Sequence, residues 1–178
     1  MKFLSIDVET TGLAIPESQI LQVAAVGYED GKPELTFQVV VSPHQRISGE
    51  AFALQLNQKL LQQIAKGDCS PQSKAIAEFS MFVSQFRGGD KKVTVAGKNA
   101  AGFDIPMLRA NGFDVSQFNH RVIDPGSLWL PDFGYVPTLS EINARLGRPA
   151  VSHDALDDAR DVVAAVTAKL IVKKEEAA

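Results

Sequence analysis

Residues 4–13 read LSIDVETTGL. Phe3, Leu4 and Ile6 begin what reads as a buried strand, with no Gly or Pro among them. The run then ends in two carboxylates, Asp7 and Glu9. Residues two apart in a strand point to the same face, and strands disfavour Asp and Glu. About 6 Å apart, at an effective dielectric near 20, the two charges repel by roughly 3 kcal/mol. Either the strand end runs into solvent, or it belongs to a site whose other groups offset the repulsion.

The chain has 178 residues, a length that suits one domain with a full core. Its net charge of −3 gives no global basic field. That excludes a large electrostatic footprint for nucleic acid but not a local grip on a few nucleotides. Cys69 is the only cysteine, so an internal disulfide is impossible and a reducing compartment is expected. The N-terminal apolar run is cut short by Asp7 and Glu9, below signal-peptide length. No stretch reaches transmembrane length, so the expectation is a cytoplasmic protein with no membrane partner.

Strands are expected at Lys2–Val8, Ile20–Tyr28 and Glu34–Val41, the last two joined by a turn centred on Asp30-Gly31. After Ser42-Pro43 the periodicity becomes helical. Asn57–Lys66 reads as a short helix stopped by Gly67. Ser70-Pro71 reads as a cap and first turn, with Ile76, Phe79, Phe82, Val83 and Phe86 at helical spacing behind it. Val93–Ala96 and Arg121–Ile123 are expected strands; Asp104–Asn111, Leu139–Leu146 and Asp154 to about Val172 are expected helices. Lys173 to Ala178 should fray. An antiparallel trio followed by strands alternating with helices implies an α/β fold, a mixed five-stranded sheet with helices on both faces. Ligands of such sheets sit beyond the carboxyl ends of parallel strands, where Asp7 and Glu9 lie.

Two further places could add carboxylates to the same spot. In VAGKNAAGFDIPML, Asp104 opens a helix after a strand and a Gly/Asn-rich loop; taken alone it reads as a helix cap. In SHDALDDARDVV, four aspartates crowd the start of the last helix, where the macrodipole favours acids. A stripe of Leu156, Ala159, Val163, Val166 and Leu170 places Asp158 about 110° from its centre; Asp154, Asp157 and Asp161 lie about 150° away or further, on a solvated face. His153 is expected in the preceding loop, on a mobile backbone, over the same site. Asp7, Glu9, Asp104 and Asp158 could converge only with cations among them. Oxygen ligands suit Mg²⁺ or Mn²⁺ and disfavour structural zinc. His44 and His120 have no motif around them and read as ordinary loop or surface residues.

These three motifs, IDVETTGL, FD at Asp104 and HDALDDA, resemble the DEDDh 3′→5′ exonucleases of the ribonuclease H-like fold. That superfamily includes the proofreading subunit of bacterial DNA polymerase III, ribonuclease T and oligoribonuclease. The resemblance runs from Phe3 to about Leu170, with VIDPGSLW, LSEINARLG and ALQLNQKLL as further similar segments. It implies one exonuclease domain over residues 1–178. That domain would bind two divalent ions and act on single-stranded DNA, RNA or a short oligonucleotide with a free 3′ end, releasing nucleoside 5′-monophosphates. It further implies that Asp7, Glu9, Asp104 and Asp158 hold the metals and that His153 is the general base. Thr10, Leu13 and Phe103 would then meet the terminal nucleotide, Leu13 as a wedge, and Lys98 or Arg109 could meet phosphates. Ribonuclease T and oligoribonuclease are dimers, which leaves a homodimer open. NAAGFD carries one residue more than the family's usual second motif, which loosens any role for Asn99, and Gln22 stands where the family often has Glu. The rival readings are a ribonuclease H-like endonuclease and a nucleic-acid-binding accessory subunit of a polymerase.

Overall fold

Strand β1 alternates strictly. Leu4, Ile6 and Val8 enter one core and Phe3 enters another, so Ser5, Asp7 and Glu9 share the Phe3 face. The computed structural model describes residues 1–30, 32 and 34–175, with backbone only over 171–175. The strands are β1 (Lys2–Thr10), β2 (Ile20–Glu29), β3 (Leu35–Ser42), β4 (Ser70–Pro71), β5 (Val93–Ala96) and β6 (Phe118–Ile123). The helices are α1 (Ala51–Leu56), α2 (Gln58–Lys66), α3 (Gln72–Arg87), α4 (Asp104–Ala110), α5 (Pro125–Phe133), α6 (Leu139–Arg145) and α7 (Ala155–Glu175).

The sheet order is β4-β3-β2-β1-β5-β6. β1, β2 and β3 form the antiparallel part; β5 and β6 run parallel to β1. On one face, α3 and α4 supply Ala75, Phe79, Val83, Phe86, Met107 and Leu108 to the core. On the other, α5, α6 and α7 supply Trp129, Leu139, Ile142, Val162, Ala165 and Val166. This is the expected mixed α/β architecture with both faces covered. Trp129 docks α5 on α7 by donating its indole N–H to the Ala165 carbonyl at 2.9 Å, so burying the ring leaves no donor unpaired.

Several local expectations are corrected. Ser70 is not the N-cap of α3: Pro71 holds that position with no side-chain cap bond, and the two residues add a short sixth strand to the sheet, parallel to Val41–Ser42. Pro tolerates this place because it is a sheet edge. Asp104 is not the cap of α4: Phe103 holds that position, and the Asp104 carboxylate accepts from the Val8 backbone N–H at 3.1 Å. Helices α1 and α5 were not foreseen. Pro125-Gly126 and Pro131 read as breakers, yet Asp124 caps α5 by accepting from the Ser127 N–H, and Pro125 stands in the first turn where no donor is lost. Gly31 of the expected Asp30-Gly31 turn, and residues 176–178 of the expected frayed tail, lie outside the described residues; 173–175 continue α7. No helix among the described residues is long and apolar enough to cross a membrane.

The stripe on α7 is also rotated. Ala155, Asp158, Ala159, Asp161, Val162, Ala165 and Val166 are its buried residues among those described, centred about 90° from the expected direction. Alanines bring the helix close to the sheet, while Leu156 and Leu170 are only half-buried beside it. Asp158 therefore lies within the buried stripe. Asp161, expected in solvent, is buried; it accepts from the Asn143 amide and from Arg148 at 3.1 Å (Nε) and 2.6 Å (Nη2). Removing a buried carboxylate strands its donors. Asp161→Ala should lower unfolding free energy by about 2 kcal/mol in urea titrations, whereas the exposed Asp157→Ala should stay within about 0.5 kcal/mol.

Candidate active site

The carboxyl end of β1 delivers Asp7, Glu9 and Thr10 to one spot, and the sheet partner β2 fixes their register, with Glu9 opposite Gln22. Asp104 arrives from the loop after β5, pinned to β1 by the Val8 N–H. In that loop Asn99 is left-handed (φ 57°), and its carbonyl accepts from both Gly102 and Phe103 at 2.9 and 3.0 Å. Asn99 itself is exposed, its N–H donated to Asp124 at 2.7 Å. Asp158 comes from the first turn of α7, accepting from the Ser152 N–H at 3.1 Å.

Asp7, Glu9, Thr10, Leu13, Phe103, Asp104, His153 and Asp158, drawn from three separate stretches of chain, all line one cavity of about 270 Å³. Lys98 lines it too, 3.9 Å from Asp124. Arg109 does not; it borders a different groove with Lys92 and His120. Sequence reading missed Glu50, Phe52 and Asn57. Glu50 accepts from the Leu13 N–H at 2.8 Å, and Asn57 donates to the Thr10 carbonyl at 3.0 Å, so α1 and α2 brace the loop after β1. No local pattern announces such contacts, because the partners are 37 and 47 residues apart. Phe52 is 76% exposed and Leu13 72% exposed, both at the cavity.

Electrostatics in the cavity is dominated by burial. Burial, with Asp104, Glu9 and Asp158 alongside, holds the Asp7 carboxyl well above the usual carboxylate range. Burial pushes Glu9 up to about 7, against the opposing Asn57 amide. It pushes Asp104 up to about 7 as well, against the Val8 N–H. Asp158 is raised for the same reason, with the Ser152 N–H opposing. Four carboxyls all raised by burial need a cation to ionise together. Glu9, His153 and Asp158 each offer a ligand atom within 4.8 Å of one another, a candidate metal-binding cluster.

A mixed sheet covered on both faces, with acids at the end of β1, is consistent with a ribonuclease H-like architecture. The chain matches the RNase T family of exonucleases over residues 4–166 and belongs to it. No curated protein matches the chain in a sequence comparison. Among solved structures, the zinc-bound Escherichia coli exonuclease I–ssDNA complex aligns with TM-score 0.73 at 17% identity, covering 98% of this chain and 41% of that one. The same enzyme with a dT13 oligonucleotide gives 0.72 at 17%, covering 96% and 40%. A full-length 3′-exonuclease gives 0.67 at 18%, covering 98% and 61%. At these identities the likeness is one of fold, and the chain spans about two fifths of exonuclease I.

The raised carboxyls give a signed expectation. Below about pH 3.8, the ordinary aspartate value, these groups are mostly protonated in both states, and their contribution to stability is fully present. As pH rises from there to about 7, the unfolded chain has already released protons that the folded one still holds, so that contribution is lost. In EDTA the melting temperature should therefore fall between about pH 5 and pH 7.5, and saturating Mg²⁺ or Mn²⁺ should remove the fall. A melting temperature in EDTA that stays flat or rises across this window contradicts burial of the cluster.

Proposed function

We propose that the chain is a metal-dependent 3′→5′ exonuclease acting on single-stranded nucleic acid. The observation carrying this reading is the convergence of Asp7, Glu9, Asp104, Asp158 and His153 on one cavity with apolar Leu13 and Phe52 at its side. The cavity, about 270 Å³, is small for a ligand site and suits one terminal nucleotide. Strand ends, rather than duplex interiors, can present such a nucleotide.

The donor set fits hard divalent ions: four carboxyl groups, three of them buried and Asp7 half-buried, all raised by desolvation. Asp7, Glu9 and Asp158 would hold one ion, and Asp7 with Asp104 a second. Bound there, divalent cations supply charge stabilisation at the phosphate and acidify the attacking water. His153 takes the proton of that water as its oxygen bonds to phosphorus. The bond from phosphorus to the 3′ oxygen of the preceding nucleotide breaks, that oxygen takes a proton from solvent, and a nucleoside 5′-monophosphate leaves. Leu13 and Phe103 hold the terminal base, and the Thr10 backbone, braced by Asn57, holds its sugar. Lys98 faces the cavity as a cation for the adjoining phosphate.

The cluster of Glu9, His153 and Asp158 favours a second reading, in which His153 is a ligand rather than the base. One pair of variants separates the two. As general base, His153→Ala should cut kcat by roughly 10² to 10⁴ while the metal-induced rise in melting temperature persists. Asp158→Ala and Asp7→Asn should lose rate and rise together. A rise abolished by His153→Ala makes His153 a ligand.

Direction is read on substrates. With Mg²⁺, a linear single strand with a free 3′ hydroxyl should yield mononucleotides, and a 3′-phosphate should block the reaction by meeting the acids. DNA and RNA strands run in parallel would set the sugar preference, which depends on how the pocket meets a 2′-hydroxyl. Circular strands cut as fast as linear ones would overturn the exonuclease reading in favour of an endonuclease.

A further inference from the structure

His153 is exposed and borders two cavities, the acid-lined one and another of about 560 Å³ beside α2. Among the described residues, no side-chain hydrogen bond holds the imidazole. Its backbone sits at φ 57°, a conformation rare for a residue with a side chain. The mobile loop expected from sequence is nonetheless bracketed. On one side the Ser152 N–H is tied to Asp158. On the other, the Asp154 carboxylate is tied to the sheet.

Asp154 accepts from the Gln22 Nε2 of β2 at 3.3 Å and from the Gln38 Nε2 of β3 at 3.1 Å to each oxygen. It also accepts from the backbone N–H groups of Leu156 and Asp157, at 3.1 and 3.3 Å. Gln22 is buried and turns its Oε1 to the Ala155 N–H at 2.9 Å. A glutamine can accept from the helix backbone and donate to Asp154 at once; a glutamate can do only the first. Gln22 also stands directly across from Glu9 in the sheet, so one strand pair carries both the cluster and the anchor of the His153 loop.

We infer that Gln22 and Gln38 are positioning residues that fix His153 over Glu9 and Asp158 by gripping Asp154. The inference rests on the reading above, in which His153 acts at the site. Gln22→Glu keeps shape and the acceptor for Ala155 but loses the donor to Asp154. Gln38→Ala removes an exposed side chain and leaves the core alone. Two readouts are needed: kcat and KM with Mg²⁺ on a linear single-stranded oligonucleotide, and the imidazole Cε1–Hε1 signals in EDTA, where only His44, His120 and His153 contribute.

Gln22→Glu should lower kcat about ten-fold or more with KM within about two-fold, because loss of reacting geometry costs rate before affinity. It should shift or broaden the His153 signal and leave those of His44 and His120 in place. Gln38→Ala should do the same more weakly. Gln22→Glu combined with Asp154→Asn restores a donor facing an acceptor and should recover most of the loss. In a His153→Ala background, Gln22→Glu should cost nothing further. An unmoved His153 signal in both variants, or a loss that persists in full without His153, overturns the inference alone. Wild-type turnover by His153→Ala overturns the catalytic reading and the inference with it.

Discussion

The cost of burying several carboxylates at the end of one strand governs how the rest of this molecule is arranged. β1 is the central strand, and its even residues are committed to the core beneath α3 and α4. Its odd residues must then face α7, so Asp7 and Glu9 cannot turn away into solvent without breaking the register with β2. The fold accepts an unfavourable local choice at the end of β1. That is the pattern expected when a site, rather than stability, dictates a sequence.

Around that cost the chain places donors that are themselves fixed. Backbone N–H groups of Val8 and Ser152 point at Asp104 and Asp158. The Asn57 side chain reaches the Thr10 carbonyl, and Glu50 holds the Leu13 N–H. These contacts restrain the strand end without neutralising the acids, since burial still raises all four carboxyls. Rigid geometry and unmet charge are therefore separate features of the site. The first comes from the protein, and the second is left for a cation.

The strands and the acids were legible because both rest on short-range pattern. Alternation in β1 and apolar helical spacing in α3 are set by neighbours a few residues apart. The misreadings arose where a distant partner decides. Ser70-Pro71 looks like a helix start until β3 pairs with it. Asp104 looks like a cap until Val8 supplies a donor 96 residues away. Asp161 looks solvated until Asn143 and Arg148 close over it. On α7 the apolar count favoured leucines, whereas close approach to the sheet favoured alanines.

The aspartates of α7 show how one helix start can carry several electrostatic fates. The macrodipole favours a carboxylate anywhere in the first turn. Asp154 spends that advantage on Leu156, Asp157 and two sheet glutamines, and it remains half-buried. Asp161, one turn further along, is met by Asn143 and Arg148. Asp158 lies between them in sequence and is the one that faces the acids of β1, where no cationic side chain pairs with it among the described ion pairs. Its raised carboxyl shows that the dipole and the Ser152 N–H do not offset burial there. A helix start that gives two of its acids several donors each, and leaves the third to burial beside Glu9, puts that third acid in the candidate metal-binding cluster with Glu9 and His153.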